Sequence, residues 1–92
     1  MEIYALSSNH RKTLEAIFTQ PVTNKLEWRK IEALFVALGA NVSEGKGSRV
    51  RFEIKGIIAT FHRPHPEKEA KAYQIRDGRH FLETVGVTPW VL

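Results

Sequence analysis

Arg49, Arg51, Thr60 and His62 are the side chains whose types and spacing could do chemistry, and the chemistry is that of a phosphate. Val50, Phe52 and Ile54 alternate with Arg49, Arg51 and Glu53, the period of two expected of a half-buried strand. Lys55-Gly56 then makes a two-residue turn, because glycine takes the positive φ that tight hairpins need. If Ile54 pairs with Ile57, then Phe52 faces Ala59, Val50 faces Phe61 and Arg49 faces His62. The apolar set falls on one face and Arg49, Arg51, Thr60 and His62 on the other. A slip of one residue would turn every side chain to the wrong face, so this register is the consistent one. Two guanidinium groups and an imidazole on an exposed sheet face suit a phosphate.

The flanking residues extend the set. Gly45-Lys46-Gly47-Ser48 precedes a strand, whereas the nucleotide-binding P-loop needs GxxxxGK[ST] leading into a helix. It reads as a turn, or as a loop whose amides and Lys46 touch phosphate. The candidate phosphate-binding residues are Lys46, Ser48, Arg49, Arg51 and Arg63. His62-x-x-His65 has no third or fourth ligand at sensible spacing, and His10 and His80 belong to separate predicted helices. No metal site and no cofactor are predicted. His65 between Pro64 and Pro66 is expected in a rigid extended segment. No residue marks a nucleophile elbow.

Charge points the same way. The chain of 92 residues has a net charge of +4, but residues 45–80 alone carry +5 and the remainder −1. A basic excess gathered around one hairpin favours a polyanion, nucleic acid before membrane. No basic amphipathic helix is present to lie on a membrane, and no apolar run is long enough to cross one. Nothing resembles a signal peptide, and the lack of cysteine removes disulfides and cysteine-type zinc sites and fits a cytoplasmic protein.

The elements that must hold the hairpin are legible on either side of it. Ser7, Ser8 and Asn9 offer N-caps for a helix running to about residue 19, with Leu14, Ile17 and Phe18 inward, and Gln20-Pro21 stops it. Asn24 with Glu27 resembles a capping pair for a second helix, whose apolar stripe is Trp28, Ile31, Leu34, Phe35 and Leu38. Gly39 ends that helix at a left-handed position. A first strand is expected over residues 40–44 and a last helix over 73–85, with Ile75, Phe81, Leu82 and Val85 inward. Gly78 inside that helix costs about 1 kcal/mol relative to alanine, which a close packing contact would justify. Trp90 is expected to pack on its own domain or on a partner. The prediction is one α+β domain over residues 1–92. In the order α-α-β-β-β-α, helices cover one face of a three-stranded antiparallel sheet, and the other face is open.

Residues 28–87 resemble the HicA family, small toxins of bacterial toxin–antitoxin operons. The likeness is carried by Ile31, Leu34, Leu38-Gly39-Ala40, Gly47-Ser48, the strand ending in Pro64-His65-Pro66, and Leu82 with Gly86-Val87. It covers about two thirds of the chain; residues 24–87 correspond to the family core, and the helix before Pro21 lies outside it. The resemblance implies a fold like that of double-stranded-RNA-binding domains, metal-independent cleavage of mRNA, and neutralisation by a HicB-type antitoxin. The family's key histidine directly follows Gly-Ser, and here that position is Arg49.

That departure leaves two classes of function open. RNA cleavage through the 2′-hydroxyl needs a base, a cation for the phosphorane and an acid for the leaving oxygen. Arginine, with a pKa above about 12, serves as the cation and not as the base. The register sets His62 across from Arg49, so the imidazole could have moved one strand over. The first class is thus a ribonuclease toxin with His62 and His65 as the candidate catalytic side chains: His62 as base or acid, Arg49 and Arg51 on the phosphate, and His65 or Lys46 assisting. The second is a module that binds RNA or an antitoxin through the same face without cutting, and a third, smaller alternative is a purely protein-binding domain whose basic face meets an acidic partner.

Overall fold

The computed structural model describes residues 6–90, so the ends of the expected 1–92 domain, residues 1–5 and 91–92, lie outside the described residues. The order of elements is α1 (Ser8–Phe18), α2 (Trp28–Ala37), β1 (Asn41–Glu44), β2 (Arg49–Ile54), β3 (Ile57–His62) and α3 (Ala72–Thr84). The three strands form one antiparallel sheet in the order β1-β2-β3. This is the expected α+β arrangement.

The hairpin has the register that alternation requires. Arg49 faces His62, Val50 faces Phe61, Arg51 faces Thr60, Phe52 faces Ala59 and Ile54 faces Ile57. Its turn places both Lys55 (φ 53) and Gly56 (φ 81) in the left-handed region, the pair of conformations that matches the strand twist in a two-residue loop. The Glu53 carboxylate steadies the turn by accepting from the Gly56 amide at 2.7 Å and from Asn41 Nδ2 at 3.0 Å. Those two hydrogen bonds hold its pKa below the usual carboxylate range.

Val50, Phe52, Ile54 and Phe61 are buried under the helices, whereas Ile57, on the edge strand, is only half-buried. Phe35 of α2 is the hub: its ring packs edge-on against Phe52 (5.0 Å between centroids) and Phe81 (5.3 Å). Such aromatic geometry adds roughly 0.5–1.5 kcal/mol per pair beyond burial. Leu14, Ile17 and Phe18 of α1 belong to the same core. The Phe18 ring also meets Trp90 edge-on at 5.2 Å, although Trp90 stays largely exposed. Gly78 is buried on α3 beside Phe35, with room for a Cβ at 3.6 Å from that ring.

The start of α2 differs from the capping pair expected of Asn24 and Glu27. Glu27 itself is the N-cap and makes no side-chain cap bond. Instead the Trp28 amide donates to the Lys68 carbonyl at 2.9 Å, and the Ala70 amide to the Leu26 carbonyl at 2.8 Å. Main chain from the far side of the sequence thus takes the place of a side-chain cap. The Glu27 carboxylate turns to Arg29 at 2.6 Å.

Candidate functional site

Alternation along the three strands builds the open face of the sheet. Asn41 and Ser43 of β1, Arg49, Arg51 and Glu53 of β2, and Ile58, Thr60 and His62 of β3 share it. Arg49, Arg51, Thr60 and His62 are exposed there, as expected. Residues directly opposite on an antiparallel pair have Cβ atoms about 4.5–5.5 Å apart, so Arg49 and His62 reach the same small ligand.

The turn before β2 completes this corner. The Gly45 amide donates to the Arg49 carbonyl at 2.9 Å and the Arg49 amide to the Lys46 carbonyl at 3.2 Å. A Cβ on Gly45 would lie 3.0 Å from both Cβ and Cδ of Arg49. The missing side chain is what lets Arg49 lie along the turn. Ser48 Oγ sits 3.4 Å from Nδ1 of His62, and among the described residues Nε2 has no hydrogen-bond partner. A groove of about 370 Å³ runs beside this corner, lined by Ser43, Glu44, Gly45, Arg49, Arg51 and Thr60.

The fold therefore gathers Ser48, Arg49, Arg51 and His62, with Lys46 exposed at the tip of the same turn. Arg63 is not brought to this group. Hairpin pairing continues one step beyond the strands, with the Arg63 amide donating to the Ser48 carbonyl at 2.9 Å. Parity then sends the Arg63 side chain to the helix-covered side. There its guanidinium binds Glu32 of α2 through Nε (3.0 Å) and Nη2 (2.8 Å), and Glu44 of β1 through Nη1 (2.7 Å) and Nη2 (3.0 Å).

This two-carboxylate clamp joins the ends of β1 and β3 to α2. Hydrogen bonds from Arg63 hold the carboxyls of Glu32 and Glu44 below their ordinary range, and the guanidinium is raised further still. The indole Nε1 of Trp28 adds a third donor to Glu32, at 2.9 Å. His65 is exposed at a bend, not in the extended run expected of Pro64-His65-Pro66, and the peptide bond before Pro66 is cis.

Two residues of the site region were not singled out by the sequence. Ile58 is 53 % exposed on the open face beside Thr60; its place followed from the same alternation that placed Thr60 and His62. Gln74 of α3 is 1 % exposed and donates from Nε2 to the main-chain carbonyl of His62 at 2.6 Å. Its signal was a polar residue on the inward stripe shared with Ile75, Gly78, Phe81 and Leu82, because a buried amide must find partners.

Compared with known proteins, residues 28–86 match the family model described as the HicA toxin of bacterial toxin-antitoxin. That stretch is more than half of the chain and holds every residue of the corner described above. No curated protein and no solved structure matched.

Proposed function

From its membership of the HicA family, to which this chain belongs, the protein is a toxin of a toxin–antitoxin system, and we propose that it acts in the cytoplasm by cleaving mRNA without a metal ion and is neutralised by a HicB-type antitoxin. The observation that carries this reading is the pairing of Arg49 with His62 on an exposed sheet face, with Ser48 Oγ at 3.4 Å from the imidazole. Arg49, Arg51 and Lys46 offer three positive charges to a phosphate and its neighbours. Ser48 steadies one nitrogen of His62, and the other is free to work.

In the proposed reaction His62 takes the proton of the ribose 2′-hydroxyl. The O2′–P bond forms, Arg49 and Arg51 balance the charge on the phosphorane, and the P–O5′ bond breaks. The leaving 5′ oxygen takes a proton from a second donor, for which His65 and Lys46 are the candidates. The products are a 2′,3′-cyclic phosphate and a 5′-hydroxyl. Only RNA has the nucleophile, which sets the substrate class. A positioned imidazole contributes roughly 10²–10⁴-fold, and the arginines act through preorganised charge. Arg63, already shared between Glu32 and Glu44, is assigned to holding the strand ends and not to the phosphate.

A second reading is favoured by Arg49 itself, which stands where the resemblance to the family expects the key histidine. On that reading the same face binds RNA or an antitoxin without cutting. Incubation of purified protein with RNA in excess EDTA, followed by analysis of the new ends, decides between them. Fragments ending in 2′,3′-cyclic phosphate support the nuclease. Intact RNA that is nevertheless bound supports the binding module.

A further inference from the structure

The peptide unit that follows His62 is held from both sides. Its carbonyl, on His62, accepts from Nε2 of Gln74 at 2.6 Å. Its amide, on Arg63, donates to the Ser48 carbonyl at 2.9 Å. The same Ser48 places its hydroxyl 3.4 Å from the His62 ring. The plane of this peptide sets the backbone angle at His62, and with it the direction in which the imidazole leaves the chain.

Gln74 is built for such a task. It is almost completely buried, on the first turn of α3. Its Oε1 accepts from the Lys71 amide at 2.9 Å while its Nε2 donates to His62. Only one amide orientation meets a donor with oxygen and an acceptor with nitrogen, so the side chain has no freedom to turn over. β3 lies at the sheet edge, where a strand's outward carbonyls have no neighbour strand to bond. Gln74 supplies that missing partner for His62. Thr13, the other buried polar side chain among the described residues, bonds within its own helix to the Asn9 carbonyl at 3.2 Å and plays no comparable part.

We infer that Gln74 is a positioning residue for His62, fixing the 62–63 peptide so that the imidazole stays over Ser48 and Arg49. This deepens the nuclease reading and rests on it for its effect on rate, though not for its effect on the ring. Gln74→Glu keeps an oxygen for the Lys71 amide but loses the donor to His62; Gln74→Met, similar in length and apolar, is the second variant should the first not fold. NMR of the ring nitrogens and of the side-chain couplings of His62 reports its tautomer and rotamer. Wild type is expected to show one rotamer, and the folded variants an averaged one.

Cleavage by the Gln74→Glu variant should be at least about tenfold slower, within the range that misplacing a catalytic group costs, while RNA binding changes less than about threefold. The deficit relative to wild type at equal pH should narrow as pH falls. The buried carboxyl, its pKa raised by burial, then takes up a proton and donates again to His62. A folded variant with the wild-type His62 rotamer and the wild-type rate would overturn the inference. If wild type cleaves no RNA, the nuclease reading fails separately, and the ring measurement alone decides: disorder of His62 in both variants upholds the role, and an unchanged ring overturns it.

Discussion

Glu32 is the residue whose removal should most disturb the frame behind the site, and the size of the loss follows from its contacts. Its carboxylate accepts from Trp28 Nε1 at 2.9 Å and from Arg63 Nε and Nη2 at 3.0 and 2.8 Å. Glu32→Ala leaves the indole N–H of Trp28, a residue 4 % exposed, with no acceptor. An unsatisfied buried donor costs about 1–3 kcal/mol. The loss at Arg63 is smaller, because Glu44 remains and the Arg63 side chain is one-third exposed; an ion pair of that kind contributes at most about 1 kcal/mol. The sum is near 2 kcal/mol by these rules, or a fall in Tm of roughly 8–16 °C for a domain of this size.

Glu44→Ala is the internal control. Its side chain is 65 % exposed and among the described residues bonds only Arg63, so its removal should cost clearly less than that of Glu32, as for an exposed, solvent-screened pair. Thermal melts followed by circular dichroism measure both. The folded-state pKa of Glu32 is depressed, chiefly by the hydrogen bond from Arg63. Its contribution is therefore complete above the ordinary glutamate value of about 4.3 and is lost as pH falls through the folded value. The gap between wild type and Glu32→Ala should shrink accordingly in acid. Equal losses for Glu32→Ala and Glu44→Ala, or a gap that widens in acid, would refute this account of the clamp.

Binding of single-stranded RNA should weaken with salt at a slope of log K against log salt near −2, about −0.7 for each of three phosphates met by Lys46, Arg49 and Arg51; filter-binding at several salt concentrations checks it, and a slope near zero would remove phosphate contact from the site. Arg49→Ala and Arg51→Ala should each weaken binding with Tm changes equivalent to less than about 0.5 kcal/mol, as for exposed positions. Gly78→Ala should stabilise by up to about 1 kcal/mol, since the added methyl meets Phe35 at an ordinary 3.6 Å; urea melts that show a loss would mean α3 has no such room.

The hairpin was legible in the sequence because two independent signals agreed there. Strict alternation through Val50, Phe52 and Ile54 and a two-residue turn at Lys55-Gly56 allow one register only. The helices were legible for a similar reason, from the stripes at Leu14, Ile17 and Phe18 and at Trp28, Ile31, Leu34 and Phe35. What escaped was set by main chain distant in sequence. The cap on α2 comes from Lys68, which no local pattern at Asn24 and Glu27 could reveal.

Arg63 reads as one more cation of the basic run. Its side depends on the hairpin pairing extending a residue beyond His62, and its partners Glu32 and Glu44 stand far apart in the chain. Gln74 was hidden because its partner is a carbonyl, which has no identity in a sequence. Of the candidate site, then, the composition of the open face was readable, and the supports beneath it were not.

The most direct test of the central claim is the single-turnover rate of RNA cleavage in EDTA by wild type, His62→Ala and Arg49→His. Wild type should cleave without metal, and His62→Ala should fall by roughly two to four orders of magnitude with binding little changed. Activity should be kept or raised in Arg49→His, because the imidazole gained opposite His62 offsets the guanidinium lost while Arg51 still balances the phosphorane. Cleavage that survives His62→Ala but vanishes in EDTA, or wild type that cuts nothing while Arg49→His cuts, would contradict the claim.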